Sequence, residues 1–541
     1  MKAKELAQLG DSLFAKRTSL TMLWQEQAEN FYPERADFTL RRSLGVDFAS
    51  NLMSSYPIIC RRELGDQFST MLRPTNKRWM HVVPRDESLK DNDTKRWLEF
   101  ATDVQRRAMY DPVTLFTRAT KEGDNDFATF GQCVISGRVN KNQNALLYRC
   151  WHLRDCAWIE NAEGKICATF VKWKPTARTM KQMFGDKVHR DIDSQMQNNT
   201  PLAETNCYHM VMEADMFDGD ARGQPYFSVY WDSDHEHELE AVATWNKEYV
   251  VPRWQTVSGS QYAYSPATVA ALPDARLLQA MTYTLLEAGE KLTNPPMIAT
   301  QDAVRSDVAI HSGGITWVDR DYDERYGEVL RPMTLDAKGM PIGIEMQAAS
   351  RQMIAAAFYL NKLTLPQRAP EMTAYEIGQR IQEYIRGAMP LFEPMEHDYN
   401  GQLCDLTFEI LRRYGAFGAP DMMPARLRGA EVTFRFESPL HDAIEAQKGQ
   451  IFLEMNQLIS QAVALDRGAS AIADIGKALR DSLAGIGVPA EWTRNETTVA
   501  QIQAAQQAAV EAEQMLAAAQ AGSEVVGNLA TAAKEGAAAG I

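Results

Sequence analysis

Two segments of this chain carry an apolar repeat that only a long helix lying along another helix can use. In the first, Leu278, Met281, Leu285, Ala288 and Leu292 recur at spacings of three, four, three and four, the period that keeps one stripe against a partner helix. Pro273 and Asp274 suit the first turn of this helix, where a proline lacks no needed donor and a carboxylate faces the positive end of the dipole. Asn294-Pro-Pro296 stops it. At a rise of about 1.5 Å per residue, Pro273 to Asn294 makes a rod about 33 Å long. In the second, Ile342, Met346, Ala349, Met353, Ala356 and Leu360 recur at four, three, four, three and four, with small residues that let a neighbouring helix come close. Packing of the rods is therefore assigned to Leu278, Met281, Leu285, Met346 and Met353.

What lies between and after the rods is equally constrained. Pro295 to Pro341 is rich in strand-like and turn-like pieces such as Ile310-His-Ser-Gly-Gly-Ile-Thr-Trp-Val318, so it reads as a small module carried at the end of the two rods. Asn361 to Pro370 holds Pro366 and Pro370 and is predicted to be a loop. Thr373 and Glu376 then form a capping box that opens a helix with the stripe Ile377, Ile381, Ile385, Ala388 and Phe392. Pro390 and Pro394 should kink this helix, because Met395, Tyr399, Leu403, Leu406 and Ile410 continue the stripe until Gly415, Gly418 and Pro420 finish it.

Toward the N-terminus, Leu6, Leu9, Leu13, Leu20, Leu23 and Trp24 predict two helical pieces with a break near Arg17, closed by Pro33. A helix from Ser50 to Leu72, a strand from Trp79 to Val83, and helices over Asn92 to Tyr110 and Pro112 to Phe130 follow. Between Gln132 and Trp245 the period changes to short aromatic and β-branched runs: Cys133 to Val139, Ala145 to His152, Cys156 to Glu160, Ile166 to Trp173, Cys207 to Glu213, Tyr226 to Trp231 and Leu239 to Trp245. One helix, Thr176 to Phe184, interrupts this sheet-rich region. Beyond the strand Glu431 to Glu437, apolar stripes predict helices through Ile451, Met455 and Leu458 and through Ile475, Leu479 and Leu483. From Thr497 onward Ala, Gln and Glu dominate, a helix composition with a weak apolar face that dissolves into Ala and Gly after Gly522. The fold class expected is α+β, mostly helical.

Several function classes are excluded or disfavoured. Met1 to Arg17 lacks the apolar stretch of a secretion signal, and no run approaches the roughly 20 apolar residues of a membrane-spanning helix. Cys60, Cys133, Cys150, Cys156, Cys167, Cys207 and Cys404 are spread without a Cys-x-x-Cys pair, which suits buried thiols. A net charge of −14 argues against wrapping nucleic acid over the whole surface, since such binding depends on Lys and Arg displacing counterions. There is no Gly-x-x-x-x-Gly-Lys-Ser/Thr phosphate loop, no Gly-x-Ser-x-Gly turn and no His-Glu-x-x-His helix. The densest group of ligand types is Asp232, Asp234, His235, Glu236, His237 and Glu238. His235 and His237 could project together from a strand and hold a metal for a hydrolase or nuclease. Charged runs between strands are ordinarily solvated turns, and the sequence names no distant third ligand. No catalytic residue, metal site or cofactor is therefore assigned.

The run Met372-Thr-Ala-Tyr-Glu-Ile-Gly-Gln-Arg-Ile-Gln-Glu383 resembles the Met-Thr-Ala-x-Glu-Val-x-x-Arg-x-x-Glu run of portal proteins, the head-to-tail connectors of short-tailed double-stranded-DNA phages. Leu411-Arg-Arg-Tyr-Gly415, Leu272-Pro-Asp-Ala-Arg276 ahead of Pro295-Pro296, and Phe436-Glu-Ser-Pro-Leu440 extend the resemblance in order along most of the chain. It implies a portal fold that assembles as a ring, of twelve copies in the family. Residues 1–266, with the β-rich region 132–245, would be the wing. Residues 267–294 and 342–360 would be stem helices and 295–341 the clip. A tunnel loop over 361–370 would be followed by the long kinked helix and a strand returning to the wing over 371–437. Residues 438–541 would make a crown, with or without a barrel formed by the Ala-rich tail.

The resemblance also implies partners: double-stranded DNA passing without sequence readout, the terminase large subunit as motor, tail adaptor and tail proteins, and the major capsid and scaffolding proteins. It places the chain in the virion, at the head-tail junction of one capsid vertex, with assembly in the host cytoplasm and no membrane. A channel that passes DNA both ways should not grip it, and the only charged residues of the loop are Lys362 and Arg368. These are assigned to face DNA, against the alternative that they solvate an exposed loop. A tail or scaffold protein without a channel is the remaining reading, and the rod, module, rod, loop and kinked-helix order counts against it.

Overall fold

The short aromatic and β-branched runs form an antiparallel sheet in the order β4-β5-β6-β7-β8, from Cys156–Glu160, Ile166–Trp173, Cys207–Glu213, Tyr226–Asp232 and His237–Thr244. Strands β5, β6 and β7 are buried over almost their whole length because both faces are covered. Helix α1 (Ala3–Lys16) lays Ala3, Leu6 and Ala7 on Phe170, Tyr208 and Met210. The opposite face, with Val171 and Val211, meets Trp24, Phe38, Phe130 and Tyr262. At the edge, α6 (Ala177–Phe184) and α7 (Arg190–Gln197) cover Cys207, Tyr230 and Leu239 with Met180, Phe184 and Ile192.

A smaller sheet joins β2 (Val134–Val139) to β3 (Leu146–Trp151) and β9 (Tyr249–Val250), and β10 (Gln255–Thr256) pairs with β11 (Ala263–Tyr264). The sheet-rich region thus runs on past Trp245, where the sequence reading ended it. These last strands are two residues long, too short for an alternation to show.

The computed structural model describes residues 1–40, 45, 47–49, 52–75, 77–86, 89, 91–198, 200–299, 317–319, 325, 330–333, 339–363, 395–436, 452–461, 474–485, 488, 492–494 and 498–515. The chain forms two compact units, Met1–Lys77 with Arg107–Arg413, and Arg78–Arg106 with Tyr414–Ile541. In the first unit the predicted break at Arg17 separates α1 from α2 (Thr18–Phe31). Arg17 is buried there, and its guanidinium donates to the carbonyls of Leu153, Arg154 and Cys156, which supplies its terminal nitrogens with partners. Helices α3 (Tyr56–Leu72) and α5 (Phe116–Phe130) pack on this core. Asp124 of α5 is ion-paired with the wholly enclosed Arg73, whose other terminal nitrogen donates to Asn400 Oδ1 at 2.7 Å.

Asn400 lies in a π-helical stretch, Glu396–Gly401, that leads into α11 (Gln402–Arg413). The predicted stripe residues Met395, Tyr399, Leu403, Leu406 and Ile410 are all buried here. Pro390 and Pro394, expected to kink the helix, lie outside the described residues, as do the capping box and the whole Met372 to Glu383 run.

In the second unit β1 (Met80–Pro84) pairs antiparallel with β14 (Val432–Phe436), with Trp79 stacked on Phe436. Helix α4 (Asn92–Met109) lies beside them up to Arg106, Thr102 Oγ1 accepting the Val82 amide proton at 3.0 Å. The pairing of β1 with β14 joins residues far apart in the chain, which no local pattern reports. Helix α12 (Ile475–Gly485) and helical stretches over 452–461 and 498–515 complete the described part, the last exposed along most of its length.

Candidate functional site in the helical hairpin

The two rods form a hairpin. Helix α8 covers Pro266–Thr293 and α9 covers Gly339–Ala357, and they pack along each other. Ser265 caps α8 and Thr268 Oγ1 donates to the Thr129 carbonyl at 2.7 Å, while buried Gln27 donates to Thr268 Oγ1 at 3.2 Å. Gln279 accepts the amide protons of Met53 and Ser54 at 2.8 and 2.9 Å and donates to the Ser54 carbonyl. The helix therefore starts seven residues before Pro273, which lies inside it and is exposed. The first-turn reading of Pro273 is corrected: tertiary anchors at Ser265 and Thr268 set the start, and they hold the helix together across a proline that lacks its own donor and crowds the preceding turn.

The burial of α8 is confined to its first half, at Ala267, Thr268, Ala271, Leu272, Ala275 and Leu278. After Leu278 no described residue of the helix is buried, although Gln279 is still hydrogen-bonded to Met53 and Ser54. Leu278 is fully buried, and Met281 and Leu285 are half-buried. Gly343 fits against Leu285 so closely that a β-carbon would come within 2.9 Å of it. Gln347 donates to Thr282 Oγ1 at 2.8 Å, and Ser350 and Ile354 are buried further toward the base. The side of α9 turned to α8 is thus Gly343, Gln347, Ser350 and Ile354. Met346 and Met353 are exposed on other faces. Phe358 tucks back against Phe31, ring centroids 5.3 Å apart.

At the far end, Met297–Ala299 and Leu330–Pro332 pair as antiparallel strands β12 and β13. The piece Ile310 to Thr316 lies outside the described residues. At the near end, Tyr359 takes a left-handed backbone with φ 59°, and a short helix α10 follows over Leu360–Leu363. Asn361 to Leu363, read as the start of a loop, are therefore helical. Lys362 sits in that turn, and Arg368 lies outside the described residues.

The charged run near His235 is a tight turn between β7 and β8, with Glu236 at φ 49°. It does not present His235 and His237 as one pair. His235 Nδ1 is 2.7 Å from the buried Asp232, whereas His237 Nε2 donates to the Lys187 carbonyl at 2.9 Å. What faces His235 is His189 and Asp191 at the start of α7. Sequence reading missed both, although His189-Arg-Asp191 just ahead of a polar helix was a visible signal. All seven cysteines are free and buried, and burial pushes the Cys133, Cys150 and Cys404 thiols up, which suits packing rather than nucleophilic attack. Among the described residues, no helix is long and apolar enough to cross a membrane.

Comparisons with known proteins bear on the hairpin and its surroundings together. The probable portal protein of Bordetella phage BPP-1 is 23% identical over 445 residues, covering 80% of this chain and 78% of that protein. The portal protein of Salmonella phage epsilon15 is 22% identical over 472 residues, covering 84% and 81%. A solved structure titled as the virion of a native gene transfer agent particle aligns at 10% identity and TM-score 0.35, over 77% of this chain and 91% of that one. The family model described as bacteriophage head to tail connecting protein matches residues 3–493. With that match running through both compact units and the whole hairpin, the chain belongs to the family of bacteriophage head-to-tail connecting proteins.

Proposed function

We propose that this connector is a portal subunit, one of a ring set at a single capsid vertex of the virion, through which DNA enters during packaging and leaves at ejection. The observation that carries this reading is the outward surface of the hairpin. Leu277, Tyr283 and Leu286 of α8 and Ile342, Ile344, Met346 and Met353 of α9 are all exposed in the single chain. Apolar groups gathered on a protruding element are a surface waiting for a partner. A second copy of the same hairpin supplies it, and a head-to-tail contact repeated around an axis closes into a ring with a hole at its centre.

In this ring α8 and α9 are the stem, the segment between them is the clip that meets the motor and later the tail adaptors, and 361–370 is the tunnel loop. Residues 1–266 make the wing, 371–437 return to it, and 438–541 form the crown. Lys362 and Arg368 touch the DNA backbone, while the net charge of −14 keeps the duplex from being held. The role is structural, and no step of chemistry is assigned to the chain.

Mass photometry of the purified chain tests the reading. Twelve copies of 60.8 kDa give a particle of about 730 kDa. A chain that stays at the mass of one subunit, alone and with its scaffolding and capsid partners, would overturn it.

A further inference from the structure

The first turn of α7 meets the β7–β8 turn, and the side chains at that meeting are metal-ligand types. Asp191 Oδ2 lies 3.3 Å from His189 Nδ1 and 3.6 Å from His235 Nε2. The two imidazoles stack with centroids 4.6 Å apart and planes 18° from parallel. One candidate ligand atom from each of the three residues lies within 4.8 Å of the other two. A carboxylate oxygen and two ring nitrogens, drawn from segments more than forty positions apart in sequence, thus converge on one small volume.

A second observation concerns how His235 is held. Asp232 closes β7 and is fully buried. Its Oδ1 accepts the amide protons of Asp234 and His235 at 3.1 and 3.2 Å, and its Oδ2 is 2.7 Å from His235 Nδ1. A carboxylate in that place takes the Nδ1 proton, fixes the ring and leaves the lone pair of Nε2 directed at Asp191. His189 Nδ1 accepts the Asp191 amide proton at 3.4 Å, a long hydrogen bond that the ring gives up if Nδ1 turns to an ion. A carboxylate and two imidazoles thus face one another, a donor set that a cation can bridge.

We propose that His189, Asp191 and His235 bind one divalent transition-metal ion of the zinc type, with Asp232 as the orienting carboxylate behind His235. Two imidazoles and one carboxylate suit zinc, whereas magnesium and calcium favour all-oxygen sets. Ligands of a tetrahedral zinc sit about 3.4 Å apart, so a pair separated by up to 4.8 Å must close by up to about 1.4 Å. The exposed ends of Asp191 and His189 leave room for that. His237 is not among the residues whose ligand atoms converge, and its Nε2 donates to the Lys187 carbonyl. Lys187 also pairs with Glu240 at 2.8 Å, so the ion acts beside an existing clasp and clamps α7 to the edge of the large sheet.

The test uses the full chain in whatever oligomer it adopts, stripped with EDTA and dialysed free of chelator. Titration with zinc chloride should show saturable uptake of one ion per chain and a raised thermal midpoint, and Co2+ should give the visible absorption of a tetrahedral site. His189→Ala should abolish uptake; because His189 also caps α7, the midpoint of the metal-free protein should fall slightly, and zinc should no longer raise it. His237→Ala should bind as the parent does, and Asp232→Asn should weaken binding roughly 10- to 100-fold. No zinc uptake by the parent, uptake undiminished in His189→Ala, or equal loss in His237→Ala would overturn the proposal.

Discussion

Gly131 stands directly against Tyr264: a β-carbon at position 131 would lie 2.1 Å from the Tyr264 carbonyl carbon and 2.3 Å from the Ser265 nitrogen. Gly131 closes α5 with φ 74°, and Ser265 opens α8, so this one contact sets where the hairpin leaves the body. Gly131→Ala meets both a left-handed backbone and a neighbouring main chain that cannot move aside. Its expected cost is about 3 kcal/mol or more. Urea unfolding of the purified variant would check this, and parental stability would contradict it.

Charge on the outer face of the hairpin should act on assembly and spare the fold. Leu286 and Met353 are both 59% exposed, so Leu286→Glu with Met353→Glu should change the thermal midpoint of the subunit only slightly. The same pair should abolish the high-mass particle in mass photometry, because each copy would bring carboxylates into an apolar contact. Rings that survive would show that this face does not join copies.

The buried ion pair of Arg73 and Asp124 is expected to be costly to break and cheap to replace. Asp124→Ala leaves the Arg73 guanidinium uncompensated in the core and should lose about 3–5 kcal/mol. Replacing both by apolar residues, Arg73→Met with Asp124→Leu, should recover more than half of that loss. Denaturant midpoints of the two variants decide the matter.

Acid should loosen the sheet at His209. Its ring stacks on Tyr230 with centroids 3.9 Å apart and bonds to Tyr249 and Ser228 at 2.6 and 2.8 Å. Burial, aided by the charge of Arg138, lowers the imidazole to about 3. The unfolded chain therefore binds more protons than the folded one between the ordinary histidine value of 6.5 and about 3. The stabilising effect is complete above that window and is lost as pH falls through it. With the folded ring staying neutral over that range, a loss of about 2 kcal/mol is expected from about pH 7 to about pH 5. His209→Gln should flatten the curve of stability against pH.

Replacing Lys362 and Arg368 by Ala should alter genome packaging or retention while ring mass stays unchanged. Counting filled and empty heads made with the double variant checks this, and unchanged filling would remove the assigned role.

The strands were legible because each was a short run of aromatic and β-branched residues bounded by turn formers, as at Tyr226–Asp232. Tyr399, Leu403 and Ile410 were legible because their spacing holds across an irregular turn. Helix α7 was not, since Ile192 is its only described buried residue and eight polar-rich positions show no period. The inward side of α9 was misjudged for a different reason. Met346 and Met353 carry the apolar signal, whereas close approach to α8 selects the small or polar Gly343, Gln347 and Ser350. The meeting of Asp191 with His235, like that of Arg73 with Asn400, depends on the fold bringing distant segments together, which local pattern does not encode.

The way α8 is held makes the hairpin a cantilever. A beam clamped over its first turns, as far as Gln279, turns a sideways push at Met297 into a moment at the clamp. There the load falls on the hydrogen bonds of Thr268 to Thr129 and of Gln279 to Ser54. Those two bonds, and not the exposed outer half of the hairpin, are therefore where its orientation on the body is set.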